Sequence, residues 1–510
     1  METFDRNKAI EKAEHDDKVQ NYRQCCTKIR TGLDNLDANS GERAIWELVQ
    51  NACDLSDDTI IRIVLNNDDL LFEHQGKPFT YETFTSLIKQ VTSADKVNET
   101  KKGRYGTGFM TTHKFSRIIY ITSSLDLGDG HYTDITDFPL DRRFDNIDPE
   151  FIDKMGDQLE DAMKLVENGE IREKKLWTTF RYPLTDETRT IATKAVDEAI
   201  KLMPFVMLLN NISKCIISKD YKTFEFSKRS KEDEGGLHVV SISTGNDEID
   251  LYYLSSEDKE NIAIMPLNSS QNAIDFSVYP KLFLWFPLLG TEDWGVNFIF
   301  NSSNFAPVEE RNGIILPKGN DNVKDKYERD EKIISTLSDL VLSYLKNNIK
   351  EIDNTILLAR INFPIDKQKD DLTKQFYEKQ QAKWADIYQT LPMIPTIKGK
   401  LALKGEPGVY IFDKTLIDIF KNENIKEKYY DSVYELASLH YTLPTKDECP
   451  EWSEIVNQWG CDLTGHILNV EMIASTIVDN SDELLLFDKF LKGTNNDSLF
   501  DESTLKSGGI

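Results

Sequence analysis

The segment 41–55, GERAIWELVQNACDL, constrains the fold of this 510-residue chain more than any other. Asn39 or Ser40 is placed to cap a helix at its start, and Glu42, three residues after Asn39, approximates a capping box. The apolar residues of the segment are Ile45, Leu48, Val49 and Ala52. Because a helix that is apolar over most of its surface is normally buried, we predict a buried helix here.

Three polar residues interrupt this apolar surface. Glu47, Asn51 and Asp54 stand at i, i+4 and i+7, so they project from one side of the helix. Burying them is costly unless they line a cavity that holds a cation or a polar ligand. The other interpretation is an amphipathic helix whose polar stripe faces water. This segment alone leaves both interpretations open.

Two glycine-containing segments follow the helix. In LLFEHQGKPF a strand runs into a turn with Gly76 and Pro78, and GRYGTGF places Gly103, Gly106 and Gly108 before FMTTHKF, which can open a helix. Glycines allow backbone N–H groups to approach phosphates closely, and a helix N-terminus adds a partial positive charge. The combination of E-x-x-x-N-A-x-D, a strand with a glycine turn and G-x-x-G-x-G favours a phosphate-bearing ligand.

In these three motifs the sequence resembles the Bergerat-fold (GHKL) ATPases, the superfamily of gyrase, the ninety-kilodalton heat-shock chaperone, histidine kinases and MutL. ELVQNACD is similar to the N-box, FEHQGKPF to the adenine-side glycine motif and GRYGTGF to the phosphate-side glycine motif. The resemblance implies ATP and Mg²⁺ as ligands and ATP hydrolysis as the activity. It also implies an N-terminal α/β sandwich in which helices cover a mixed sheet.

The resemblance assigns roles residue by residue. Glu47 would be the general base for the attacking water, Asn51 would hold Mg²⁺, and Asp54 would support the nucleotide pocket. Lys96, Lys101 and Arg104 would lie in or beside a mobile lid. The nucleotide-binding residues that it implies are Asn51, Asp54, His74, Gly76, Lys96, Lys101, Gly103, Arg104, Tyr105, Gly106, Thr107, Gly108, Phe109 and Thr178.

His74 departs from the pattern of the superfamily, which has an aspartate that accepts a hydrogen bond from adenine at this position. A neutral imidazole can accept the same bond through one nitrogen, so we expect recognition that depends on tautomer and pH. Pro78 replaces the second glycine of the motif, and Trp177 replaces the glycine that usually precedes Thr178. The alternative for His74 is a structural histidine at the end of a strand.

Further segments are similar to the sacsin-related branch, which also resembles the heat-shock chaperone. They are the H-x-G-K-P-F turn, TSADK and FPLLGTEDWGVNFIFNSSNFAPVEERNGIIL. In that branch an arginine reaches the terminal phosphate, and the matching residue is Arg311, which the resemblance makes a second catalytic residue. The alternative is a surface arginine paired with Glu309 or Glu310.

We predict an α+β protein with four segments. Residues 1–38 form a polar helical arm, 39–190 the Bergerat-fold ATPase domain, 191–320 a β-rich, transducer-like α+β middle domain and 321–510 a mostly helical region. The short strand-like runs are RIVLNN, DLLFEH, RIIYITSS and WTTFRYPL in the second segment and TFEFSKR, LHVVSIS, EIDLYYLS, KLFLWFPLL and VNFIFNSS in the third.

Charge and composition restrict the partners. The 87 acidic and 61 basic residues give a formal charge of -26, which makes nucleic acid unlikely as the main partner. No apolar run approaches the roughly 20 residues of a membrane span, and the charged N-terminus lacks a secretory signal, so we expect a cytoplasmic protein without membrane contact. Six cysteines, of which Cys25 and Cys26 are adjacent and the other four are scattered, predict reduced thiols, mostly buried, and no zinc site is expected.

The resulting functional hypothesis is Mg²⁺-dependent ATP hydrolysis that drives a conformational change or dimerisation. A chaperone-like protein and an ATPase subunit of a prokaryotic anti-phage defence system both agree with it, with protein partners or clients and a homodimer as implied assemblies. The alternative is a nucleotide-sensing scaffold that binds ATP with little turnover. A histidine kinase is disfavoured because His15 lies too close to Glu47 for an intervening helical hairpin. A topoisomerase or mismatch-repair role would need a basic surface.

Overall fold

The computed structural model describes residues 5–37, 40–90, 108–144, 146–245, 247–308, 311–319, 321–421, 423–477 and 481–494. It is a mixed α and β protein with mixed sheets, in agreement with the predicted α+β class. The chain divides into two units, Met1–Lys231 with Val240–Asp250 and Glu232–Val239 with Leu251–Ile510.

The bounds of the regular elements are as follows. The helices are α1 Arg6–Asp34, α2 Ser40–Cys53, α3 Tyr81–Lys89, α4 Pro149–Asn168, α5 Asp186–Leu209, α6 Lys324–Asn348, α7 Asp371–Tyr388, α8 Lys414–Phe420, α9 Glu423–His440, α10 Cys449–Gln458, α11 Val470–Ser475 and α12 Ser481–Thr494. The strands are β1 Thr59–Leu65, β2 Asp69–His74, β3 Phe79–Thr80, β4 Ile118–Gly128, β5 His131–Asp141, β6 Ile171–Arg172, β7 Thr178–Pro183, β8 Ile212–Lys219, β9 Lys222–Ser230, β10 His238–Ser243, β11 Glu248–Ser255, β12 Asn261–Met265, β13 Leu282–Leu284, β14 Phe286–Pro287, β15 Ile299–Ser302, β16 Ile394–Thr396, β17 Gly399–Leu401, β18 Ile411–Phe412 and β19 Ile467–Leu468.

A mixed sheet forms the centre of the first unit, with strand order β10-β9-β8-β1-β2-β7-β4-β5-β6. β1 pairs in parallel with β8, and β3 pairs in parallel with β4, whereas the other neighbours are antiparallel. The predicted strand runs of the ATPase segment correspond to β1, β2, β4 and β7. β5, β8 and helix α4 were not predicted.

One face of this sheet carries the core of the first unit. Burial alternates along β1, β2 and β7, and the inward side chains include Ile63, Phe72 and Phe180. α2 packs against α5 and against the 3₁₀ helix Gly108–Lys114. Residue 41 lies so close to α5 that a Cβ there would be 2.2 Å from Ile191 Cγ2. The sheet and these helices therefore hold α2 within the core.

The N-terminal arm is helical, as predicted. Asp5 caps α1, because its Oδ1 accepts hydrogen bonds from the amides of Asn7 and Lys8. The later part of α1 buries Cys26, Ile29 and Leu33. The first part of the helix is exposed to solvent.

Of the two candidate caps of α2, the structure excludes Ser40, and it also shows how α5 begins. Ser40 is the first residue of α2, and its hydroxyl donates to Asp37 Oδ1 at 2.6 Å rather than capping the helix. Asn39 lies outside the described residues. α5 begins at Asp186, where Thr185 forms a capping box with Thr188.

The second unit combines a mixed sheet, ordered β11-β12-β15-β13-β14, with the helices from α6 onward. α6 buries Ile333, Leu337 and Val341, as its apolar periodicity predicts. β16 pairs with β17 and β18 with β19, and otherwise helices dominate the described residues after 324.

Two expectations about the whole chain can be compared with the structure. All six cysteines are free thiols, of which Cys26, Cys53, Cys215 and Cys449 are buried, as predicted. None of the helices in the described ranges has the length and apolarity needed to cross a membrane.

Candidate functional site

The polar side of α2 is half-buried. Ten of the fourteen residues of α2 are buried, and the remainder are Glu42, Arg43, Glu47 and Asn51. Asp54, also half-buried, follows the helix, and its amide donates to the Gln50 carbonyl at 3.0 Å. The helix is buried as predicted, while Glu47, Asn51 and Asp54 keep partial access to solvent.

Glu47 meets the end of the phosphate-side glycine motif. A Cβ at residue 108 would lie 1.8 Å from Glu47 Oε2 and 2.4 Å from Glu47 Cδ. No real Cβ tolerates such distances, so the carboxylate occupies space that only glycine leaves open. The fold thus brings Glu47 and Gly108, which are far apart in sequence, into direct contact.

A short 3₁₀ helix follows this contact. Thr111 Oγ1 donates to the Gly108 carbonyl at 2.7 Å, and Thr112 Oγ1 donates to the Phe109 carbonyl at 2.8 Å. Phe109 is buried, and its ring packs on Phe180 with the ring centroids 5.7 Å apart. The helical start that the sequence predicts after the glycines is therefore present, as a seven-residue 3₁₀ helix.

The rest of the glycine motif and the lid candidates lie outside the described residues. They are Lys96, Lys101, Gly103, Arg104, Tyr105, Gly106 and Thr107.

The two candidate adenine-side residues face each other across paired strands. His74 on β2 is the register partner of Thr178 on β7. Thr178 Oγ1 and Ser123 Oγ, from β4, form a hydrogen bond of 2.7 Å, and all three residues are buried. They form a polar group on the helix-covered face of the sheet, where most of the other buried residues are apolar.

The imidazole of His74 is neutral at pH 7. Its side chain is 2% exposed, and burial lowers its pKa to about 4, against the opposing effect of a backbone hydrogen bond at Gln75. Its ring stacks on Phe180 with the centroids 6.3 Å apart. In the described part of the chain Nδ1 has no hydrogen-bond partner. A buried nitrogen of this kind is suited to a hydrogen bond with a ligand.

Gly76 closes the turn after β2 onto the segment that follows α2. Lys77 N donates to the Leu55 carbonyl at 3.1 Å. A Cβ at residue 76 would lie 3.2 Å from this carbonyl oxygen and 3.5 Å from His74 Nδ1. The turn after β2 and the segment that follows α2 are therefore neighbours.

Sequence reasoning missed two residues of this region. Ser123 is one, although two serines within the apolar strand run RIIYITSS were a visible signal. Asn211 is the other. Its side-chain Nδ2 donates to the backbone carbonyls of Cys53, at 3.2 Å, and Ser56. Its backbone carbonyl accepts from Thr59 N at 2.8 Å. No local pattern in the sequence predicts these bonds.

Arg311 lies in the second unit, in a hairpin whose described residues are 306–308 and 311–315. Its amide donates to the Val308 carbonyl at 2.9 Å, and its φ of 51° is in the left-handed region. Glu309 and Glu310, its alternative partners, lie outside the described residues. Its action on a terminal phosphate stays a prediction.

No protein-family model matches this chain, and no curated protein matches it. Within the described residues there is no group of three or more His, Cys, Asp or Glu side chains placed to hold a metal ion. Asn51 is still compatible with the predicted Mg²⁺ site, since this ion is usually held by one or two protein groups together with phosphates and water.

Proposed function

We propose that the first unit is a Bergerat-type ATPase that binds and hydrolyses ATP with Mg²⁺. The contact between the Glu47 carboxylate and Gly108 is the observation that carries the proposal. It sets an acid from a buried helix against the last glycine of a segment suited to phosphates, which is the juxtaposition that water activation beside a terminal phosphate requires.

Each of the residues proposed to act at the phosphate end of the site has its own role. Glu47 accepts a proton from the attacking water and orients it. Asn51, one turn further along the same side, presents an amide oxygen to Mg²⁺, and Asp54 supports the pocket. When bound, Mg²⁺ neutralises charge on the phosphates. Arg311 is proposed to stabilise the charge that develops on the terminal phosphate.

The proposed recognition of the base by hydrogen bonds depends on three residues, His74, Thr178 and Ser123. Since His74 is neutral, its bare Nδ1 accepts a hydrogen bond when the proton is on Nε2. The exocyclic amino group of adenine supplies such a donor. The hydroxyls of Thr178 and Ser123 both donate and accept, so they complete the hydrogen bonds of a bound base.

The experiment that tests this function compares Glu47→Gln with the wild-type protein. Glutamine has the same shape but cannot take a proton, so we expect ATP affinity by titration calorimetry to change less than about threefold and phosphate release to fall at least a hundredfold. Glu42→Gln, in the first turn of the same helix, is the matched control and should leave both unchanged. Unchanged turnover in Glu47→Gln would refute the mechanism.

Two other outcomes are informative. Tight ATP binding with no phosphate release by the wild-type protein would identify the nucleotide-sensing scaffold instead. Absence of ATP binding would remove both hypotheses. We place the activity in an ATP-driven conformational change or dimerisation, within a chaperone-like protein or an anti-phage defence ATPase.

A further inference from the structure

A buried carboxylate in α6 has no role in the function described so far. Asp330 lies in the second turn of this helix and is 1% exposed. Its Oδ1 accepts a hydrogen bond from Ala306 N at 2.9 Å. Its Oδ2 has no hydrogen-bond partner in the described part of the chain. A carboxylate so poorly compensated is costly to bury, so its position calls for an explanation.

The bond to Ala306 is made at the open end of the Arg311 hairpin. Ile315 N donates to the Ala306 carbonyl at 2.9 Å, and Val308 N donates to the Gly313 carbonyl at 3.0 Å. Arg311 lies between Val308 and Gly313, in the part of the hairpin that the bond between these two residues closes. The side chain of Asp330 thus joins the base of the hairpin to α6.

Arg311 has a backbone conformation that needs support from its surroundings. Its φ of 51° is uncommon for a residue with a side chain, and such conformations persist only where neighbouring structure fixes them. The hairpin bonds fix it locally, and the bond from Ala306 to Asp330 fixes the hairpin.

The electrostatic setting of Asp330 agrees with an anchoring role. Burial raises its pKa to about 7, and the amide of Ala306, the charge of Arg329 and the backbone at Ile315 oppose this shift. Two of these three opposing influences come from the two strands of the hairpin. The hairpin that Asp330 holds therefore supplies much of the stabilisation that opposes the effect of burial on this carboxylate.

We propose that Asp330 is a positioning residue for Arg311, holding the base of the hairpin so that the guanidinium is presented in one orientation. The inference rests on the proposed function, in which Arg311 acts on the terminal phosphate. Asp330 itself touches no substrate.

The test uses two substitutions and a control in the full-length protein. Asp330→Ala removes the acceptor of the Ala306 amide, whereas Asp330→Asn keeps an acceptor oxygen of the same shape. Ser338→Ala is the matched control, because Ser338 is also buried in α6 and its hydroxyl has no partner among the described residues.

We expect Asp330→Ala to lower kcat roughly tenfold to a hundredfold with KM for ATP unchanged, because misplacing a group disturbs the reaction more than the binding. Amide hydrogen exchange at Ala306 and Arg311 should become faster in the same variant. Asp330→Asn should restore most of both properties, and Ser338→Ala should alter neither.

A double substitution distinguishes positioning from general stability. If Asp330 acts through Arg311, Asp330→Ala should cause no further loss of kcat in an Arg311→Ala protein. An equal further loss, or unchanged exchange at Ala306 and Arg311 in Asp330→Ala, would overturn the inference. If the wild-type protein does not turn over ATP, the proposed function is wrong, and with it the catalytic role of the bond between Asp330 and the hairpin. Amide hydrogen exchange in Asp330→Ala would still show whether Asp330 holds the hairpin.

Discussion

The carboxylate of Glu47 lies against Gly108, with no room for a side chain between them. α2 and the glycine segment are separated by three strands and a helix along the chain, so this contact is a product of the tertiary fold. It makes residue 108 sensitive to any added atom. It also means that the position of the Glu47 carboxylate can be changed without altering Glu47.

Gly108→Ala should therefore abolish hydrolysis while leaving the protein folded. The new Cβ would displace the Glu47 carboxylate, which is the far end of a flexible side chain, so we expect the free energy of unfolding to change by less than about 2 kcal/mol. A misplaced base should lower kcat by at least about a hundredfold. Gly319→Ala is the control, since a Cβ there meets nothing within 4 Å. Phosphate release and urea unfolding measure the two effects, and normal kcat in Gly108→Ala would contradict the placement of Glu47.

The buried imidazole of His74 makes stability depend on pH. Its pKa falls from 6.5 to about 4 on folding, so between these values the unfolded chain binds more protons than the native state. Stability is therefore lost as the pH falls from 6.5 to 4, by roughly 3 kcal/mol in total. His74→Asn should remove this part of the slope in urea unfolding between pH 4 and 7.

Other titrating groups set the controls for that measurement. His113, equally buried and with a pKa lowered to about 3, acts in the same direction and should keep its share of the slope in His74→Asn. Asp330, whose pKa is raised to about 7, acts in the opposite direction, so variant and wild type must be compared at each pH. Exposed His131→Asn controls for the loss of an imidazole. An identical slope in His74→Asn and wild type would show that His74 is not buried and neutral.

Local patterns in the sequence predicted helix α2 and several strands of the first unit. The apolar spacing of α2 and the alternation in β1, β2 and β7 reflect burial on one face, which is visible in a short stretch of sequence. β5 was missed because Thr136 and Asp137, two consecutive exposed residues, interrupt its alternation, and because Asp134 and Pro139 are residue types that strands disfavour.

The geometry of the candidate site needed the tertiary fold. The motifs indicated Glu47, His74 and Thr178, but their register and contacts depend on strands that pair across long separations. The neutral state of His74 follows from its burial, which no neighbour in sequence specifies. The bond from Asn211 to Cys53 joins residues 158 positions apart, beyond the reach of local patterns.

Base selectivity should follow from the same neutral imidazole. Inosine triphosphate carries a carbonyl oxygen where adenine has its amino group, so two acceptors would face each other at His74 Nδ1. We expect ATP to bind at least about tenfold more tightly, since an unpaired buried acceptor costs about 1–3 kcal/mol. The sequence alone predicted recognition that depends on pH, but the pKa of His74 is about 4, so the preference should be the same at pH 6 and pH 8. Calorimetry with both nucleotides measures it, and His74→Leu should bind them with similar affinity. If His74→Leu still bound ATP more tightly than inosine triphosphate, residues other than His74 would recognise the base.

Removal of Mg²⁺ should stop hydrolysis, and Asn51 should set the concentration of the ion that restores it. Because Asn51 is proposed as a direct ligand of the ion, we expect Asn51→Ala to raise the half-saturating Mg²⁺ concentration by about tenfold or more. Phosphate release after chelation and Mg²⁺ titration gives this value. Glu42→Gln, on the same helix, should leave the Mg²⁺ requirement as it is. An unchanged requirement in Asn51→Ala would exclude Asn51 as the ligand.

Asn211 should matter both for stability and for nucleotide binding. Its amide group holds the carbonyls of Cys53 and Ser56, on either side of Asp54. Asn211→Ala leaves these carbonyls without that donor, so we expect a loss of about 1–3 kcal/mol in the free energy of unfolding. ATP affinity should also fall, since Asp54 and the Leu55 carbonyl beneath Gly76 lose their support. Asn67→Ala provides the comparison, because Asn67 is exposed and its side chain bonds only to Arg189 among the described residues. Weaker ATP binding at unchanged stability would imply direct contact between Asn211 and the nucleotide, whereas lower stability at unchanged ATP affinity would separate this segment from the pocket.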